Sequence, residues 1–446
     1  MKTPIADFVK RYAESDSLRL HMPGHKGRGC LGFEHLDITE ISGADSLYEA
    51  SGIILESEEN ASKLFGCSTY YSTEGSSQCI RTMLYLACIH AKEKGLRPVV
   101  LAARNVHKTF LSAAALLDFD VRWIYPAEGD TYISCCITAD MVEEHIKKSD
   151  IKPTAIYLTT PDYLGYIDDI AGIAQVCRDN DVLLLVDNAH GAYLKFREYS
   201  EHPVDLGAHM CCDSAHKTLP TLTGGAYLHI SDDMHTVFGR RQINNALAMF
   251  SSTSPSYLIL QSLDLTNAYL ADGYKEKLSS FIDRVDETKW LLFEAGYELC
   301  EDEPLKITVD AKKYGYRGTE LAELLYSKNI VCEFADPDYL VLMLTPEIGI
   351  EGLSMLEKAL LTIPRREAIK EPVPKIHICQ KVMDIRDAML SPCEAVKVED
   401  SVGRILASPS VGCPPAVPIV VCGEKIDETA VKVFKYYGIE YCDVVK

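Results

Sequence analysis

Lys217 sits in the run Asp213-Ser-Ala-His-Lys-Thr-Leu-Pro220, thirty residues after Asp187, which ends the most hydrophobic stretch of the chain, Val182-Leu-Leu-Leu-Val-Asp187. A lysine amine that forms a Schiff base and a carboxylate that keeps a pyridine nitrogen protonated are the two protein groups that pyridoxal phosphate most needs. Taken singly, Asp187 serves equally well as a strand cap and Lys217 as a surface lysine. The surrounding pattern has to decide.

From about Ser68 to Ile230, apolar β-prone runs alternate with segments of helical period. Strands are expected at Ser68-Ser72, Pro98-Ala103, Asp120-Tyr125, Thr154-Thr159, Val182-Asp187, Ala208-Cys212 and Gly225-Ile230. Helices are expected at Ser77 to Lys94, Lys108 to Leu117, Met141 to Lys148 and Asp168 to Asp179. Such alternation predicts an α/β fold with a mainly parallel seven-stranded sheet and helices on both faces, whose ligands bind at the carboxyl ends of the strands. From Ser256 to Gly296 the pattern is helical almost throughout, predicting a long connecting helix into a smaller α/β unit. The charged and proline-rich stretch from Ile363 to Lys375 reads as a linker. The expected division is an N-terminal arm or interface segment (1–50), a large cofactor-binding domain (51–296), a small α/β domain (297–365) and a C-terminal domain (366–446).

Polar groups suited to a cofactor fall at most of the strand ends. After the first strand, Gly75, Ser76 and Ser77 open a helix and offer backbone N–H groups and hydroxyls to a phosphate, although serine is also a common helix cap. His107 follows the second strand, where an imidazole can stack on an aromatic cofactor or shuttle a proton, or simply hydrogen-bond in its loop. The turn Thr159-Thr-Pro-Asp-Tyr-Leu-Gly165 follows the fourth. Asp187 and His190 follow the fifth, and Ser214, His216 and Lys217 the sixth.

Composition narrows the function. With 446 residues, 47% hydrophobic and 25% charged, the chain can bury the core of a soluble protein of two or three domains. A formal charge of −20 argues against nucleic acid or an anionic membrane as partner, and is compatible with cationic substrates. The N-terminus lacks an apolar signal core and no run approaches the roughly 20 apolar residues of a membrane span, so a cytoplasmic location is expected. The sixteen cysteines are scattered without C-x-x-C and read as reduced core thiols. Gly27-Arg-Gly-Cys-Leu-Gly32 matches a dinucleotide fingerprint, but follows no apolar strand. His21, His25 and His35 lack carboxylates or thiols at helical spacing, so no metal site is expected.

The chain resembles the Orn/Lys/Arg decarboxylase family of fold-type I, transferase-like pyridoxal phosphate enzymes. The resemblance rests on His21-Met-Pro-Gly-His-Lys-Gly27, Asp37-Ile-Thr-Glu-Ile, Gly75-Ser-Ser, Asn105-Val-His-Lys108, Asp187-Asn-Ala-His-Gly191, Ser214-Ala-His-Lys217, Cys413-Pro-Pro-Ala-Val-Pro418 and Gly423-Glu424. It implies Lys217 as the Schiff-base lysine, Asp187 on the pyridine nitrogen, His107 stacked on the ring and Ala189 against its other face. It further implies Ser76, Ser77, Ser214 and His216 on the phosphate, and His190 near the ring hydroxyl. The implied reaction is decarboxylation of arginine, lysine or ornithine in polyamine-type metabolism, with Lys217 or His107 returning the proton to Cα. Glu333, Asp45 and Glu49 are the candidates for the distant cation of the substrate. In the family the N-terminal segment lies near a partner subunit's active site, which implies a homodimer or higher homo-oligomer. The chain is too short for the N-terminal wing domain of the large inducible members.

Several positions depart from the family pattern. Asn188 and Tyr193 stand where Glu and His are usual, Glu74 replaces Asn, and Asp45 to Ala50 replaces a stretch that often carries His-His-Pro. These changes leave the cofactor set intact and leave the substrate open. An aldolase, an aminotransferase or a decarboxylase of a non-basic amino acid uses the same apparatus. A degenerate regulatory homologue is argued against by Lys217, Asp187 and His107.

Overall fold

The computed structural model describes residues 1–125, 131–300, 303–409 and 416–446. Cys413 to Pro415 of the family-like Pro-Pro run lie outside the described residues.

Seven strands form the principal sheet: β1 (Ser68–Ser72), β2 (Val99–Ala103), β3 (Asp120–Ile124), β4 (Ala155–Thr159), β5 (Leu183–Asp187), β6 (Met210–Asp213) and β7 (Ala226–Ile230). Their order is β1-β7-β6-β5-β4-β2-β3. β5 and β6 run parallel, as do β2 with β3 and β2 with β4, whereas β7 runs against both β1 and β6. Every residue of β2, β5 and β7 is buried, the mark of strands covered on both faces. The expected strands are all present, each within about two residues.

The 256–296 stretch is a correction. It holds two helices, Tyr257–Leu270 and Tyr274–Glu294, instead of one. Between them Gly273 takes φ +72°, in the left-handed region that a continuous helix excludes and glycine tolerates.

The chain divides into two compact units, each built from two stretches of sequence. The first comprises Met1–Leu96 and Ile170–Ser279. Within it Asp264 accepts hydrogen bonds from the backbone N–H groups of Ile5 and Ala6, tying the helix Pro4–Ala13 to the helix Tyr257–Leu270. The second comprises Arg97–Asp169 and Ser280–Lys446. It contains an antiparallel sheet of β8 (Lys306–Asp310), β9 (Phe334–Ala335) and β10 (Tyr339–Met343) in the order β8-β10-β9. It also contains two short antiparallel pairs, Gln380–Lys381 with Glu424–Lys425 and Cys393–Lys397 with Tyr441–Val445. The buried Arg104 guanidinium donates to the carbonyls of Pro418 and Ile419, so backbone oxygens satisfy a charge taken out of water. Among the described residues no helix is long and apolar enough to cross a membrane, and the cysteines are free thiols.

Candidate active site

In the first unit, the ends of β1, β5 and β6 deliver the side chains singled out by sequence. Gly75 precedes the helix Ser76–Glu93 with φ +71°, where any other residue is strained, and its N–H donates to Gly224 O at 2.8 Å. That turn places Ser76 so that the Ser214 hydroxyl, following β6, donates to it at 2.8 Å. Two hydroxyls from separate loops thus converge beside the start of a helix, where unsatisfied backbone N–H groups favour an anion. Lys217 Nζ lies 2.9 Å from His190 Nε2. Asp187 ends β5, and its Oδ1 accepts from the Ala189 N–H at 3.3 Å and the Cys212 thiol at 3.8 Å. Ala189, two residues on, is buried. His216 donates through Nδ1 to Gly225 O at 2.9 Å, and burial lowers its pKa.

His107 belongs to the second unit. It caps the helix Lys108–Leu117, its Nδ1 accepting from the Thr109 N–H at 3.2 Å and lying 2.8 Å from Thr109 Oγ1. An accepting Nδ1 puts the proton of the neutral ring on Nε2. In the turn after β4, Asp162 is buried and accepts from the N–H groups of Leu164, Gly165 and Tyr166 and from the Ser134 hydroxyl. Burial pushes its carboxyl up to about 6, although the hydrogen bonds pull the other way. The neighbouring Tyr163 hydroxyl donates to Glu333 Oε1 at 3.1 Å, and its ring meets Phe334 edge-on.

Of the N-terminal candidates, Asp45 closes a backbone turn and Glu49 is exposed. Asp45, at φ +73°, accepts from the N–H groups of Ser46, Ser51, Gly52 and Ile54, clamping the entry to the helix Ile53–Phe65. Partial burial raises its pKa, but these hydrogen bonds outweigh it and the net shift is downward. Glu49 is exposed at the end of the single turn Leu47–Glu49. His21 meets the Tyr12 hydroxyl at 2.6 Å and His25 meets Asp37 at 3.2 Å, while Gly27 to Gly32 lie in turns and bends.

Sequence reasoning missed Asp213, Asn188, His202 and His229, which form one buried hydrogen-bonded group beneath the Ser214 turn. Asp213 carried a usable signal, since it ends an apolar strand as Asp187 does. His202 and His229 carried none, because His202 comes to it from the loop before β6 and His229 through the pairing of β7 with β6.

The donor set fits the expected cofactor. Hydroxyls at a helix start suit a phosphate, a carboxylate suits a ring nitrogen and an amine suits an aldehyde.

Comparison with known proteins agrees. The family described as Orn/Lys/Arg decarboxylase, major domain, matches residues 3–301, and its C-terminal domain matches residues 374–440. An uncharacterized protein of Bacillus subtilis is 27% identical over 97% of this chain and 93% of its own length. An arginine decarboxylase of Halalkalibacterium halodurans is 28% identical over 96% of this chain and 92% of its own. A lysine decarboxylase of Francisella novicida superposes with a TM-score of 0.78 at 18% identity, covering 100% of this chain and 81% of that one, a likeness of fold. The chain belongs to the Orn/Lys/Arg decarboxylase family and is a decarboxylase.

Proposed function

We propose that the protein is a pyridoxal phosphate-dependent decarboxylase of a basic amino acid, with arginine first among arginine, lysine and ornithine. The single observation that carries the cofactor is the first-unit constellation, with Lys217 on His190 at 2.9 Å and Ser214 on Ser76 at 2.8 Å, at the ends of strands that also present Asp187. Arginine ranks first because four relatives named arginine decarboxylase match this chain over 95% or more of its length, whereas a lysine decarboxylase of Escherichia coli matches over 62% and a biodegradative arginine decarboxylase of the same organism over 59%.

Gly75, Ser76, Ser77, Ser214 and His216 hold the phosphate, and Lys217 takes the aldehyde. Asp187 keeps the ring nitrogen protonated, and Ala189 and His190 line the ring. When bound, pyridoxal phosphate supplies the sink for the electron pair left behind as carbon dioxide departs. The family resemblance would give His107 the face of the ring, and it leaves Glu333, which accepts from the Tyr163 hydroxyl, as the candidate for the distant cation of the substrate. Lys217 or His107 returns a proton to Cα, giving the amine. A neutral lysine is needed to attack, and a neighbouring imidazole accepting its N–H leaves the Nζ lone pair directed elsewhere.

A homodimer or larger homo-oligomer, working in cytoplasmic amine metabolism, belongs to the same reading. Its support is the N-terminal stretch, where Leu18, Leu20, Met22 and Leu31 are exposed, a run that a second copy of the chain covers. The deciding experiment is a panel of amino acids at equal concentration, with released carbon dioxide, amine and keto acid all measured. Arginine, lysine or ornithine is expected to exceed leucine, phenylalanine and glutamate by roughly a hundredfold, the scale of a lost charged partner. An apolar, aromatic or acidic amino acid as best substrate overturns the substrate class, and keto acid in place of carbon dioxide overturns the reaction.

A further inference from the structure

Beneath the Ser214 turn lies a polar group sealed from solvent. Asp213 Oδ2 takes His202 Nε2 at 3.1 Å and His229 Nε2 at 3.0 Å, and Asp213 Oδ1 takes Asn188 Nδ2 at 2.6 Å. All four side chains are fully buried. His229 reaches onward through Nδ1 to the Thr69 hydroxyl at 3.0 Å.

Strand alternation shows where this group stands. Asp187 is paired with Cys212, and their side chains touch, so they share one face of the sheet. Asn188 and Asp213 follow them by one residue and meet on the opposite face, together with Cys211 and His229, which are paired across β6 and β7. One face therefore presents Asp187. The other holds the two strand ends together by an aspartate.

Space is reserved for this arrangement, because a Cβ at Gly191 lies 2.0 Å from Asn188 Oδ1. The backbone repeats the tie, with the Asn188 N–H donating to Cys212 O at 3.0 Å. The Asp213 carboxyl stays ionised: burial raises its pKa, but His202 and His229 overcome that and hold it well below the usual carboxylate range. A buried anion with three donors is costly to build and costly to break, so its place directly before Ser214 and Lys217 calls for an account.

We propose that Asp213 is a positioning residue for the decarboxylase site, fixing through Asn188 the ends of β5 and β6 so that Asp187, Ser214 and Lys217 stand in register for the cofactor. The inference rests on the pyridoxal phosphate reading above. A metal is the rival use of the cluster, since ligand atoms of His202, Cys211 and Asp213 lie within 4.8 Å of one another. The Asp213 oxygens are already engaged by imidazole and amide N–H groups, and burial holds the Cys211 thiol well above its ordinary pKa and so protonated.

The test compares Asp213→Asn, Asn188→Ala and the exchange Asn188→Asp/Asp213→Asn, each read by pyridoxal phosphate affinity and the visible spectrum of the bound cofactor. Asp213→Asn is expected to weaken cofactor binding at least tenfold and alter the spectrum. The exchange keeps one acid and one amide across the same contact and is expected to recover affinity to within about threefold. Asn188→Ala removes the tie while leaving the acid, and is expected to cost about three- to tenfold in a protein whose apo form melts near wild type. The inference is overturned if folded Asp213→Asn or Asn188→Ala binds cofactor as wild type does, or if the exchange recovers nothing. If Asp213→Asn fails to fold, Asn188→Ala and the exchange decide alone. One equivalent of zinc in the purified protein, lost in Asp213→Asn, overturns it in favour of a metal. A wild-type protein that takes up no pyridoxal phosphate sinks the cofactor reading itself, which is a separate outcome.

Discussion

Two buried aspartates at strand ends, Asp213 in the first unit and Asp162 in the second, are equally cut off from water and are driven in opposite directions. Asp162 has the larger number of donors, three backbone N–H groups and a hydroxyl, yet burial prevails and its carboxyl rises to about 6. Asp213 has three donors, two of them imidazole N–H groups on one oxygen, and its carboxyl is held well below the usual range. The kind of donor matters more than the count: two imidazoles on the Asp213 carboxylate outweigh its burial, whereas backbone N–H groups and a hydroxyl on Asp162 do not. The first unit thereby keeps a permanent anion behind the lysine turn. The second keeps an acid that holds its proton into the mildly acidic range, beside Tyr163 and Glu333.

If the first unit carries the chemistry, Lys217→Ala gives the largest effect, a loss of about four orders of magnitude or more in kcat measured by carbon dioxide release. Borohydride reduction of the loaded protein marks the peptide containing Lys217, and label on another lysine removes the assignment. Asp187→Asn comes next, with cofactor largely retained and kcat lowered by about a hundredfold or more. Near-normal turnover means that another group protonates the ring. If the second unit supplies substrate binding, Glu333→Gln raises KM for the best basic amino acid by roughly ten- to a hundredfold with kcat changed far less. A fall in kcat alone breaks that division of labour.

The smallest effect sharpens the contrast between the aspartates. The folded chain holds the Asp162 proton more tightly than the unfolded chain, its carboxyl raised from 3.8 to about 6. The folded state therefore binds more protons between those values, and this group's contribution to stability falls as pH rises through that window. Urea unfolding is expected to show Asp162→Asn losing less stability than wild type between pH 4 and 6, by up to about 3 kcal/mol. Asp213, with its lowered carboxyl, has the opposite sign: its contribution is present above the ordinary carboxylate value and is lost as pH falls below it. Equal slopes for wild type and Asp162→Asn contradict the comparison.

Strands β2, β4 and β5 were legible because buried parallel strands are short, nearly unbroken apolar runs, and turn residues punctuate them. The residues placed at their carboxyl ends were legible for the same reason. The break at Gly273 was harder to see, since one glycine inside a helical period is tolerated as often as it ends the helix. Asp45 has a structural task that the local pattern did not show: its oxygens close a backbone turn. His229 reaches Asp213 through the pairing of β7 with β6, a register that periodicity alone does not give, and His202 reaches it from the loop that precedes β6. Tyr163 and Glu333, 170 residues apart, meet for a similar reason.

The interleaving of the two units has a consequence for synthesis on the ribosome. The stretch Met1–Leu96 cannot complete its unit until Ile170–Ser279 has emerged, and Arg97–Asp169 must in turn await Ser280–Lys446. At about 5–20 residues per second, β1 and its helices wait on the order of ten seconds or more for their partners, with apolar faces uncovered. Native contacts this distant in sequence also slow closure once both stretches are present. Yield in a heterologous host should therefore rise with lower temperature and with added chaperones. A fragment ending near residue 169 should fail to fold, since it contains the first half of each unit and the whole of neither.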